Sequence, residues 1–238
     1  MDSRIAGVVV WDVDGTLIPA DLRWLRRAIA RTYELAESNV VFPAKKVHGY
    51  TDESIVVDTA VASGMSPAVA EEGLRRFGDV MSQIMARGRA EVARVQPAYP
   101  GAADSITALH RHGFVQTVLT GNLRSAAEIK LQATGLDQYI DFSIGGYGSD
   151  ARDRFSLPSV VANRYLVSYG HGLEPARTVV IGDAPNDIAC ARSAGFRVVV
   201  VTHRASREEL AESKPDAILD SLDPVAVVEA VTSLVQPA

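Results

Sequence analysis

The chain has 238 residues, 24 basic and 29 acidic side chains for a formal charge of −5, and 47% hydrophobic residues. This composition suits a folded protein with a sizeable core and excludes disorder and a collagen-like repeat. A single cysteine, Cys190, rules out an internal disulfide, and no basic block offers a footprint for nucleic acid or an anionic membrane surface.

The apolar run within Met1–Asp12 is too short for a signal peptide or a membrane span, so a cytoplasmic location is expected. From Ile5 to Trp11 the residues are apolar and largely β-branched, as in a strand buried on both faces of a parallel sheet. Between Leu17 and Gln96 no strand pattern occurs, but helices are predicted at Asp21–Leu35, Thr51–Ala62 and Pro67–Met85. Strands then return at Phe114–Thr120, Thr178–Gly182, Arg197–Thr202 and Asp216–Leu219. They alternate with helices at Ala102–His112, Leu123–Thr134, Leu157–Ser168, Asp187–Ala194 and Arg207–Glu212, and Pro224–Leu234 closes the chain. This alternation predicts an α/β fold, a doubly wound Rossmann-like parallel sheet built from right-handed crossovers. The helical stretch is too long for an ordinary connection. It is expected to be an inserted α-helical cap, 18–96, interrupting a core of 1–17 and 97–238.

Ligands of open α/β sheets collect at the carboxyl ends of the strands. Asp12 and Asp14 follow the first strand, Thr120 ends the second, and Asp183 follows a later one in Gly182-Asp183-Ala184-Pro185-Asn186-Asp187. Were these strands neighbours, several acids would meet at one point, an arrangement that calls for a hard cation such as Mg2+. Read alone, Asp183 and Asp187 could be a helix N-terminal pair and Thr120 a plain strand residue. Asp12-Val13-Asp14-Gly15-Thr16, Val118-Leu119-Thr120-Gly121-Asn122 and the Gly182–Asp187 segment together resemble, in order and spacing, three motifs of the haloacid-dehalogenase-like hydrolases. The phosphoglycolate-phosphatase-like members are the nearest in kind.

That resemblance implies a Mg2+-dependent phosphatase acting on a small phosphorylated metabolite. Asp12 would be the nucleophile, forming an aspartyl-phosphate, and Asp14 the general acid and base. Asp12, Asp14 through its main-chain carbonyl, and Asp183 would hold the metal, with Asp187 a further ligand or a support for them. Thr120, Gly121 and Asn122 would bind phosphate. The second acid, Asp14, favours phosphoryl transfer over dehalogenation. A lysine usually found between the second and fourth motifs is missing: only Lys45, Lys46, Lys130 and Lys214 occur, none within 131–182. Arg154 is the first choice for that cation, ahead of Arg152 and Lys130. Phosphomutase chemistry of the β-phosphoglucomutase type is the alternative, and a non-catalytic phosphate-binding module a more distant one. No nucleic-acid or membrane partner is expected, and monomer and homodimer both stay open. His48-Gly49-Tyr50-Thr51-Asp52 resembles a cap loop lowered over the active site, though an ordinary turn before a helix reads the same way. Trp24, early in the cap, could approach the substrate.

Overall fold

The computed structural model describes residues 5–43 and 50–235. In chain order the elements are β1 (Gly7–Trp11), α1 (Arg23–Thr32), α2 (Asp52–Ala62), α3 (Pro67–Val95), α4 (Ala102–Arg111) and β2 (Phe114–Thr120). Then come α5 (Arg124–Thr134), β3 (Gly146–Tyr147), α6 (Leu157–Tyr169), β4 (Thr178–Gly182), α7 (Pro185–Ser193), β5 (Arg197–Val201), α8 (Arg207–Glu212), β6 (Ala217–Leu219) and α9 (Pro224–Val235). The six strands form one sheet in the order β3-β2-β1-β4-β5-β6, and every neighbouring pair is parallel.

The buried strands still carry period-two information, because alternate side chains feed different cores. Val9 and Trp11 of β1 join Val118, Val179, Ile181, Ile106 and Val231 on one face. Val8 and Val10 join Val180, Val198, Val161, Ile188 and Cys190 on the other. Cys190 is thus a small apolar filler, its thiol 3.4 Å from the Arg154 carbonyl. The register pairs Trp11 with Val118 on one side and with Ile181 on the other. The loops after β2, β1 and β4 therefore leave the sheet side by side.

Among the described residues no strand lies between Leu17 and Gln96. Helices α1 to α3 assemble an apolar cluster around Trp24, Ile29, Phe77, Met81 and Met85, which Leu123 and Ala126 join from the start of α5. Helix α3 runs ten residues past the predicted end at Met85. Its last three turns are polar apart from an inward stripe, and Gly88 weakens the pattern. Gly88 is where the Trp24 ring crosses the helix: a Cβ there would stand 2.5 Å from Trp24 Cζ3. Strand β3, two residues long, was not anticipated, being too short to show any periodicity. No described helix is long and apolar enough to cross a membrane.

Candidate active site

Parallel pairing brings the predicted residues to one edge of the sheet. Asp12 lies directly after β1, its N–H donating to the Ile181 carbonyl at 2.9 Å, so the ladder with β4 continues to the site. Gly15, at φ +98°, turns the chain away. Its missing Cβ matters twice, because a side chain there would be strained and would run into the Asp183 carboxylate. Gly15→Ala is expected to cost about 1–3 kcal/mol in a urea titration.

The carboxylates of Asp12, Asp183 and Asp187 are buried and each offers an oxygen within 4.8 Å of the others. Burial first, then repulsion from Asp187, pushes the Asp12 carboxyl upward from the usual range, against the pull of Arg154. Asp183 is raised by burial and by its neighbours Asp187 and Asp12. Asp187 has both oxygens engaged: Oδ2 accepts from the N–H groups of Asp183 and Ala184 at 3.0 Å each, and Oδ1 from Arg154 at 2.6 Å. It therefore shapes the turn that presents Asp183. Thr16 Oγ1 donates to Asp183 Oδ1 at 3.0 Å.

Of the three cations considered from the sequence, Arg154 reaches Asp12. Its Nη2 lies 2.9 Å from Asp12 Oδ1 and bridges to Asp187, while its Nε has no hydrogen-bond partner among the described residues. Burial opposes the guanidinium charge, but Asp187 and Asp12 more than offset it and its pKa rises. Arg152 points outward, in a two-pronged pair with Glu71 of α3 at 2.8 Å. Lys130 turns to Asp14 instead, at 2.5 Å from Oδ2. Asn122, expected to meet phosphate, spends its side-chain amide on Asp14 Oδ2 (2.7 Å) and Thr120 Oγ1 (3.2 Å). Thr120 Oγ1 also accepts from the Asn122 N–H, which leaves its hydroxyl proton, unclaimed among the described residues, to donate outward.

A cleft of about 580 Å³, its open mouth included, joins Asp12, Asp14, Thr120, Gly121, Asn122, Lys130 and Arg154 to side chains of α1 to α3. Trp24, Leu25, Ile55 and Met81 line that far wall, so Trp24 does face the cleft. The loop leading into α2 rests on the loop after β2. The Asp52 N–H donates to the Gly121 carbonyl at 2.7 Å, Asp52 Oδ2 accepts from Leu123 N–H at 3.0 Å, and Thr51 Oγ1 donates to the Arg152 carbonyl at 2.7 Å. Gly121 permits this approach, since a Cβ there would enter the Tyr50 carbonyl. Burial pushes Asp52 up to about 6, partly countered by Lys130. His48 and Gly49 of the expected loop lie outside the described residues.

Two residues, one lining the cleft and one buried behind it, carry no sequence motif. Arg204 follows β5 at the same edge and approaches Asp183 at 4.0 Å; a cation just past a strand end was the available signal. Gln96 donates to the Pro19 carbonyl at 2.6 Å and accepts from Trp24 Nε1, tying the two chain crossings between helices and sheet together. Nothing local marks it.

The family profile described as haloacid dehalogenase-like hydrolase matches residues 9–192, spanning all the motif residues above. The chain belongs to that family. A phosphoglycolate phosphatase of Vibrio vulnificus strain YJ016 is 25% identical over 227 residues, covering 90% of this chain and 92% of its own. One from Rhodospirillum rubrum is 28% identical over 223 residues, covering 89% and 86%. A match to the Pasteurella multocida enzyme of the same name, 29% identical, is confined to 65% of this chain and 64% of that one. Among solved structures, a hydrolase from Pseudomonas syringae superposes with a TM-score of 0.65 at 19% identity, over 94% of this chain and 98% of that one. CbbY from Rhodobacter sphaeroides, solved with phosphate, gives 0.63 at 19% identity over 94% and 100%. These structures share the fold. Within the haloacid dehalogenase-like hydrolases, the chain is a phosphatase of the phosphoglycolate-phosphatase-like kind.

Proposed function

We propose that the protein hydrolyses a small phosphorylated metabolite with Mg2+ as cofactor, through an aspartyl-phosphate on Asp12. The observation that carries this reading is the Asp12 carboxylate itself. One oxygen is pinned by Arg154 while the other, Oδ2, has among the described residues only Thr16 Oγ1, at 3.5 Å, beside the cleft.

The donor set fits a hard divalent ion: of three buried carboxylates only Asp12 and Asp187 share the Arg154 guanidinium, and oxygen ligands are what Mg2+ takes. Asp12 and Asp183, with the Asp14 main-chain carbonyl, would hold the ion and Asp187 would support them. Bound there, it would neutralise charge on the phosphoryl oxygens. Asp12 attacks phosphorus; as that bond forms, the ester P–O bond breaks and the departing oxygen takes a proton from Asp14. The same carboxylate then accepts a proton from the water that cleaves the aspartyl-phosphate. Thr120 donates its hydroxyl proton to a phosphoryl oxygen, and Arg154 balances the charge gathered at Asp12. Residues 1–17 and 97–238 act as the catalytic core, and 18–96 as a cap that excludes bulk water.

A phosphate-release screen with Mg2+ across phosphoglycolate and sugar phosphates tests this directly. Release from none of them would sink the proposal; phosphate moved between positions on a sugar, with little set free, would favour a mutase.

Chelation should stop turnover, and the pH dependence of stability carries the same signature. Asp12 and Asp183 have raised folded pKa values, so between about pH 4 and neutrality the folded chain binds more protons than the unfolded one. Stability of the metal-free protein therefore falls as pH rises through that window. Mg2+ reverses the effect, and the gap in melting temperature between Mg2+ and EDTA samples should widen from about pH 5.5 to about pH 8. A constant gap would argue against these carboxylates as the metal site.

A further inference from the structure

We propose that Lys130 is a positioning residue for Asp14, holding one carboxylate oxygen so that the other faces the reacting ester. Lys130 sits midway along α5, its side chain 5% exposed. Its Nζ donates to Asp14 Oδ2 at 2.5 Å and to Asn122 Oδ1 at 2.6 Å, and Asn122 Nδ2 donates to the same Asp14 oxygen at 2.7 Å. The three side chains close a ring of hydrogen bonds in which Oδ2 takes two donors, one of them charged. Among the described residues Asp14 Oδ1 receives Gln96 Nε2 alone, at 3.5 Å, and Asp14 lines the cleft.

The work this ring does follows from the chemistry required of Asp14. A carboxylate on one methylene turns about two bonds, and a proton donor to a leaving oxygen must keep one oxygen within hydrogen-bond reach of it. A single donor would leave the second rotation free, whereas two donors converging on Oδ2 fix the plane of the group. Balancing the phosphate charge is not what this geometry suits, because Arg154 already occupies that place against Asp12 and Lys130 is committed to Asp14. Simple core filling does not account for it either: an ammonium is a costly group to bury, and the carboxylates near it, Asp14 and Asp52, both belong to the cleft wall.

The inference rests on the phosphatase reading and is tested through the leaving group. An aryl ester such as p-nitrophenyl phosphate departs without a proton, while an alkyl phosphate needs one. Lys130→Met should lower kcat on alkyl phosphates by about 100-fold with KM changed less than about threefold. The pre-steady-state burst of p-nitrophenol, which reports only the first step, should slow less than about threefold. In an Asp14→Asn background the same substitution should cost no further factor in the first step, because Lys130 acts through a group already disabled. Lys130→Gln, which can still donate one hydrogen bond, should fall between wild type and Lys130→Met, and it carries the test should the methionine variant not fold. Equal first-step losses on aryl and alkyl esters, or first-step losses that multiply in the double variant, would overturn the role. Wild-type protein that releases phosphate from no ester overturns the phosphatase reading as well, which separates the two failures.

Discussion

Asp12→Asn should lower phosphate release by on the order of 10⁴-fold or more, since an amide cannot form the phosphorylated intermediate. The variant should nevertheless fold. The amide oxygen can still accept from Arg154, and the guanidinium keeps its partner in Asp187 at 2.6 Å. Stability carries a second, opposite expectation. Burial and Asp187 disfavour the ionised form of Asp12, so in the metal-free protein at neutral pH removing that charge should raise the melting temperature. Inactive yet more stable without Mg2+ is a combination that general damage does not produce. Retained turnover would move the nucleophile elsewhere, and a lowered melting temperature would contradict the electrostatic account of the cluster.

Arg154→Met should have the largest effect on stability. The substitution keeps most of the volume but leaves the Oδ1 atoms of Asp12 and Asp187 buried without their cation. Breaking a buried pair from one side costs about 3–5 kcal/mol, which for a chain of this length lowers the melting temperature by on the order of 10 °C. Part of the loss should return on adding Mg2+, which would neutralise the same carboxylates. Turnover should fall by about 10²–10³-fold, as expected when a fixed positive charge is removed from the phosphoryl site. In the Asp12→Asn background Arg154→Met should lower the melting temperature by less than it does in the wild type, since the amide no longer needs the cation. Thermal denaturation of the four proteins, with and without Mg2+, reads the stability effects and phosphate release the turnover; an Arg154→Met loss of the same size in both backgrounds would show that Arg154 is held by other contacts.

The parts of the site legible in the sequence share one property: each is a short contiguous motif at the end of an apolar strand. Strands buried on both faces advertise themselves as unbroken β-branched runs, and acids immediately after such runs can only sit at the sheet edge. Asp12, Asp14, Thr120, Asp183 and Asp187 were therefore found without knowing the strand order, as was the stretch of helices after Leu17. The length of α3 was underestimated because its last turns are polar and interrupted by Gly88, and only the Trp24 ring lying against that glycine explains the interruption.

What composition and local pattern determined by themselves is the class of fold and the edge of the sheet at which the acids gather. The pairing of charges was decided by tertiary structure. Arg152 and Arg154 are two residues apart in one polar loop, and nothing local says that a 3-10 turn at Arg154–Ser156 buries the second while the first reaches outward to Glu71. Lys130 and Asp14 are separated by 116 positions and meet because β1 and β2 are neighbours with α5 leaving the shared edge. Period and propensity act over a few residues. A buried charge is fixed by whichever opposite charge the packing brings within about 3 Å, and that partner is chosen by the topology of the whole sheet.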